Sequence, residues 1–146
     1  MAEAAPLLAL YRRLAPAVYG LAPLFTPASP KLRAGLAGRR GWRERCLAAA
    51  PGLRGCVWIH VTSVGEYEQA RPLIAALRQQ PAAPPIAVTH FSPSGREYAV
   101  RRPAADHHDY LPLDTPAAMR TLVDAWRPRV LVFVKFDCWP AQVLAA

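Results

Sequence analysis

The sequence predicts an α/β protein: an open parallel sheet with helices on both faces, preceded by an apolar and basic helical leader. Three observations carry this expectation. From Val57 onward, short apolar runs alternate with stretches of helical periodicity. Ahead of them, apolar residues recur at alternating steps of four and three. Positive charge gathers in the same leading segment, with nine Lys or Arg against two acids through Cys56 and nine against eight beyond it.

The leader, residues 1–29, places Leu7, Tyr11, Leu14, Val18, Leu21 and Phe25 on one helical face. A transmembrane span needs about 20 uninterrupted apolar residues. Here Arg12 and Arg13 interrupt the run, and Pro16 and Pro23 are expected to kink it. Arginines inside the apolar stretch, with no small-residue cleavage pattern, argue against a secretory signal. The pattern fits a helix lying in a membrane interface or a short tilted anchor.

Residues 30–55 read as a polybasic helical linker. Lys31, Arg33, Arg39, Arg40, Arg43 and Arg45 surround Trp42 with a single acid, Glu44, among them. Such a segment binds anionic lipid beside a membrane, or forms an ordinary solvated helix face; composition alone leaves both open. Nucleic acid is disfavoured as a partner, because no reading motif occurs and the rest of the chain is balanced in charge.

Residues 56–146 carry the sheet. Val57–Val61 reads as a buried strand, followed by a turn through Gly65 and a helix from Glu66 to Gln80. Pro85–His90 is a second strand, Ser94–Arg101 a short helix and His108–Leu111 a short third strand. Pro116–Trp126 is a helix with proline in its first turn. Arg129–Lys135 is a strongly apolar strand, and Pro140 opens a last helix. Strand and helix in strict alternation imply parallel strands with right-handed crossovers. Ending inside a helix after four strands, the chain is expected to be a piece of a larger protein. The cysteines Cys46, Cys56 and Cys138 lack metal-ligand spacing and read as reduced, structural thiols, so no metal is expected.

In open parallel sheets, ligands bind outside the carboxyl ends of the strands. The four turns there hold His60, Ser63, Gly65 and Glu66; His90, Ser92, Ser94 and Gly95; Pro112 and Asp114; and Lys135, Asp137 and Trp139. No phosphate loop and no glycine-rich dinucleotide fingerprint occurs. Glu66 is the candidate base: Gly65 permits a tight turn, and the positive end of a helix favours an ionised carboxylate. A glutamate in a helix's first turn is also ordinary capping chemistry. Ser63 lacks a nucleophile elbow and reads as a cap. His60 reads as a core histidine, and Asp114 as a turn or cap residue before a ligand. Adjacent His107 and His108 point to opposite faces of a strand and share no metal. Lys135 and Asp137, two apart on a strand end, suit an ion pair.

The order of these motifs carries a resemblance. His60-Val61-Thr62-Ser63-Val64-Gly65-Glu66 resembles the His-x-x-Ser-Val-Gly-Glu signature of the Kdo (3-deoxy-D-manno-octulosonic acid) transferases. Thr89–Gly95, Tyr110–Pro116 and Lys135–Pro140 are similar to that family's second, third and fourth loops. The fourth commonly reads Glu-x-Glu-x-Trp-Pro, where this chain has Lys135 and Asp137.

The resemblance implies the N-terminal, acceptor-binding, Rossmann-like half of a two-domain GT-B glycosyltransferase at the cytoplasmic face of the inner membrane. It implies inverting transfer of Kdo from CMP-Kdo to a lipid A precursor, with Glu66 as general base. Ser63, Gly65, Ser92, Ser94, Gly95, Asp114, Lys135 and Asp137 would line the acceptor site. Lys31, Arg33, Arg39, Arg40 and Arg43 would face anionic lipid. No cofactor is implied, and CMP-Kdo would be held mainly by a C-terminal domain outside this sequence. A GT-B transferase with another acceptor and a non-enzymatic membrane- or nucleic-acid-binding module are the alternatives.

Overall fold

The computed structural model describes residues 4–135 and 137–146. The leader forms α1 (Ala4–Leu21) and a 3₁₀ helix (Ala22–Ala28), and the basic segment forms α2 (Pro30–Arg39) and α3 (Trp42–Leu53). The sheet portion runs β1 (Val57–Val61), α4 (Val64–Arg78), β2 (Ile86–His90), α5 (Pro93–Arg101), β3 (His107–Tyr110), α6 (Pro116–Trp126), β4 (Val130–Phe133) and α7 (Pro140–Ala145).

The four strands lie in the order β3-β2-β1-β4, with every neighbouring pair parallel. β1 pairs with β2 from Val57↔Ile86 to Val61↔His90, so the carboxyl ends of the two central strands finish level. Both are buried along their whole length, which is why they read as mostly apolar runs. One face packs Trp58 and Ala87 against Leu53 of α3 and Met119, Leu122 and Trp126 of α6. The other packs Ile59, Val61 and Val88 against Tyr67 and Ile74 of α4 and Ala99 of α5. Gly55 enters β1 at φ 73°, a left-handed conformation suited to glycine.

Several boundaries differ from expectation. α4 begins at Val64 because Ser63, in extended conformation, caps it, and α5 begins at Pro93 because Ser92 does the same. Gly65 therefore sits inside the first helical turn with no positive φ, and the turn does not depend on it. β4 stops at Phe133, and Lys135 takes φ 69°, a left-handed turn that ends the strand. Lys135 and Asp137 thus do not share a strand face. β4 is only partly buried, and among the described residues it pairs with β1 alone.

The leader departs further. α1 runs through Pro16. Tyr11 turns inward to pack on the core, followed one helical turn later by buried Ala15. Leu7, Leu14, Val18, Leu21 and Phe25 remain exposed. The apolar stripe is therefore real apart from Tyr11: its other members stay largely exposed, and Val18 and Phe25 border the loops of the sheet domain. Among the described residues, no helix is long and apolar enough to cross a membrane.

Candidate functional site

The motif loops meet at the carboxyl edge of the sheet, as β-strand ends dictate. Glu66 lies in the first turn of α4, and only 8% of it is exposed. Its backbone N–H donates to Ser63 Oγ at 3.2 Å. Its carboxylate folds back onto Thr62: Oε2 accepts from Thr62 N at 2.6 Å, and both oxygens lie 2.9 Å from Thr62 Oγ1. This resembles a capping box shifted by one residue, since the backbone donor is Thr62 rather than Ser63. The hydroxyl has one proton to share, so Oε1 keeps lone-pair capacity for an incoming proton. Capping and base chemistry both use a carboxylate fixed in this way.

The second loop abuts the first. Ser92 Oγ accepts from Gly95 N at 3.0 Å. A Cβ on Gly95 would come within 2.8 Å of Ser92 Oγ and 3.4 Å of the Ser63 carbonyl carbon. Glycine here lets the start of α5 close on the β1–α4 turn, setting two helix N-termini side by side. Ser63, Gly65 and Ser94 are exposed there, whereas Ser92 and Gly95 are buried. Adjacent positive helix ends with free hydroxyls suit an anionic or polyhydroxyl group. Lys135 and Asp137 are exposed beyond β4.

Asp114 corrects an expectation. It is buried, and its carboxylate is fully engaged: Oδ2 accepts from Tyr11 Oη at 2.6 Å and from Ala141 N at 2.9 Å, and Oδ1 accepts from Gln142 N at 2.9 Å. Burial and the Asp114 charge push the Tyr11 phenol upward, keeping it protonated as the donor. Thr115, not Asp114, caps α6. Asp114 therefore fastens the leader and α7 to the third loop rather than lining an open acceptor site. Asp114→Ala is expected to cost about 3 kcal/mol or more, because it strands three donors at once. Urea unfolding checks this.

Arg39 is the second correction. It is buried rather than turned to solvent, donating to the carbonyls of Leu111 (2.8 Å), Gly35 (2.9 Å) and Phe91 (2.9 Å). Its guanidinium lies 5.0 Å from the Phe91 ring centroid and 5.3 Å from that of Tyr110. It clamps α2 to the loops after β2 and β3. Five donors in a rigid fork make arginine apt for this. Lys31, Arg33, Arg40 and Arg43 do stay exposed, while Arg45 pairs with Asp109 at 2.8 Å.

Beneath the edge lie buried histidines. His60 Nδ1 lies 3.0 Å from Thr89 Oγ1 and 3.1 Å from the Thr89 carbonyl, while its Nε2 has no hydrogen-bond partner among the described residues. Burial holds its pKa down at about 4. His108 Nε2 accepts from Ala105 N, so its Nδ1–H donates to His90 Nε2 at 3.2 Å. Burial first, then repulsion from His108, His60 and Arg96, lowers His90 to about 3. His108 falls to about 4 by burial, with His107 and Arg96 adding to it. His60 is thus the core histidine expected, but only half satisfied.

Comparison with known proteins matches this arrangement to a family. The family model described as 3-Deoxy-D-manno-octulosonic-acid transferase (kdotransferase) matches residues 39–146, which include all four loops. The chain is 34% identical over 119 residues to the 3-deoxy-D-manno-octulosonic acid transferase of Haemophilus influenzae, covering 80% of this chain and 27% of that protein. It is 30% identical over 94 residues to the Aquifex aeolicus protein of the same name, 62% of this chain and 25% of that one. It is 30% identical over 144 residues to the probable mitochondrial 3-deoxy-D-manno-octulosonic acid transferase of Arabidopsis thaliana, 94% of this chain and 31% of that protein. The chain spans between a quarter and a third of the length of these relatives. By its loops, its sheet and this match over most of its length, the chain belongs to the 3-deoxy-D-manno-octulosonic acid transferase family.

Proposed function

We propose that this chain is the acceptor-binding half of a GT-B glycosyltransferase that moves Kdo from CMP-Kdo to a lipid A precursor in lipopolysaccharide synthesis. The observation that carries this is the placement of Glu66. Its carboxylate is fixed by Thr62 at the start of α4, beside the second loop and at the carboxyl edge of the sheet. The acceptor hydroxyl oxygen attacks the Kdo anomeric carbon, the bond to CMP breaks, and Glu66 takes the hydroxyl proton. An alcohol is a weak nucleophile until deprotonated, and inversion needs no covalent enzyme intermediate. Ser63, Ser94, the backbone at Gly65, and Lys135 with Asp137 bind the acceptor's hydroxyls and phosphates.

Donor and acceptor are assigned to different halves, which calorimetry separates. Titrating the 146-residue chain with the phosphorylated disaccharide head group of the acceptor should release heat of binding, and CMP-Kdo should not. Micromolar affinity for CMP-Kdo alone would contradict the division.

The protein works at the cytoplasmic face of the inner membrane, held by the exposed apolar face of the leader. Lys31, Arg33, Arg40 and Arg43 add attraction of about 1 kcal/mol each near an anionic surface. Deleting residues 1–28 should reduce co-sedimentation with anionic vesicles while the sheet domain stays folded. Some stability should be lost as well, because Tyr11 and Ala15 pack inward. Equal sedimentation of both forms would return the leader to a purely structural role.

A further inference from the structure

A slot of 380 Å³ opens between the leader, α2 and the loops after β2 and β3. Val18 and Phe25 of the leader, Leu36 of α2 and Trp139 supply apolar walls. Trp139 is held in place by stacking on Phe91, with ring centroids 4.9 Å apart and planes at 21°. Its volume falls in the range of small-ligand sites. Every charged side chain that lines it is cationic: Arg39 is buried and committed to three carbonyls, while Lys31 is exposed. Ser92 of the second loop also lines it, so the slot borders the sheet edge that carries the motif loops.

Two further observations define an occupant. Val18 and Phe25 belong both to the slot and to the exposed apolar face that includes Leu7, Leu14 and Leu21. The slot is therefore continuous with the surface that would meet hydrocarbon. A peptide laid in it would need partners for its own N–H and C=O groups, which apolar walls do not offer; a hydrocarbon chain has no such need. We infer that the slot takes one acyl chain of an anionic amphiphile, with Lys31 meeting the charged head. This rests on the proposal that the edge receives a phosphorylated lipid, and it adds where one of that lipid's chains goes.

Decyl phosphate, titrated below its micellar concentration into the methyl-labelled 146-residue chain, tests it by NMR. Saturable shifts are expected at the methyls of Val18 and Leu36. Ala22 also lines the slot, so Ala22→Trp should fill it and weaken binding at least tenfold. Val18→Glu, at a site 61% exposed and so tolerable to the fold, should do the same. Lys31→Glu should weaken decyl phosphate several-fold and leave decyl glucoside unchanged. Shifts that never saturate, equal affinity in both slot variants, or the same shifts from inorganic phosphate would each overturn the inference. Binding is read independently of turnover. A chain that takes decyl phosphate, in an enzyme that transfers nothing to a lipid A precursor, overturns the acceptor reading alone. A chain that ignores decyl phosphate while transfer proceeds overturns the slot alone.

Discussion

Glu66→Gln, in an enzyme where this chain is joined to its donor-binding half, is expected to lower turnover by about 100-fold or more and leave acceptor affinity nearly unchanged. Glutamine keeps the length of the side chain, and its amide oxygen can still accept from Thr62 N, now 2.6 Å from Oε2. It has no basic lone pair for the acceptor's proton. If the carboxylate serves only the shifted capping box, the same substitution costs on the order of 1 kcal/mol of stability and leaves turnover near normal. Thermal unfolding and turnover measured on one preparation tell these apart. Survival of activity within a few-fold would demote Glu66 to a cap. Asp137 would then be the next residue to test, because Asp114 is occupied by Tyr11 and two backbone amides of α7.

Acid should unfold this domain well above the pH at which carboxylates protonate. His60 and His90 are 1% and 0% exposed, with pKa values held near 4 and 3 instead of 6.5. In the unfolded chain both recover the ordinary value. Between about pH 6.5 and pH 4 the unfolded state therefore binds more protons, and stability falls as pH falls. It is fully present only above the unfolded pKa. Each group contributes at most about 1.4 kcal/mol per pH unit in that window, so lowering the pH from 7 to 5 removes up to about 3–4 kcal/mol through these two histidines, and His108, held near 4, adds to the loss. That is a large part of the stability of a small domain. Urea unfolding at a series of pH values measures the slope, and His60→Gln should shed about a third of it. A flat profile from pH 7 to pH 5 would mean that the histidines are hydrated in solution.

The sheet was legible because it is local and periodic. Val57–Val61 and Ile86–His90 are short, mostly apolar runs bounded by turn residues, and both are buried along their whole length, as central parallel strands are. The position of Glu66 at a helix start was legible too, since Ser63 stands three residues before it in a capping pattern. Side chains whose partners lie far along the chain were not. Tyr11 and Asp114 are 103 residues apart, and Arg39 reaches carbonyls 72 and 52 residues away. Periodicity placed Tyr11 on the apolar stripe, whereas its hydroxyl found the one buried carboxylate beneath the leader. Composition placed Arg39 with the exposed cations, although it is buried between α2 and two loops, donating to the carbonyls of Leu111 and Phe91. The signal that marks Arg39 is its position at the end of α2, on the same face as buried Gly35 one turn earlier.

The most direct test of the account joins this chain to a donor-binding half, supplies CMP-Kdo and a lipid A precursor in mixed micelles, and follows the acceptor by mass spectrometry. The acceptor should gain Kdo, CMP should be released in equal amount, and Glu66→Gln should suppress both. Release of CMP with the acceptor unchanged, or Kdo transfer that proceeds undiminished without the Glu66 carboxylate, would contradict it.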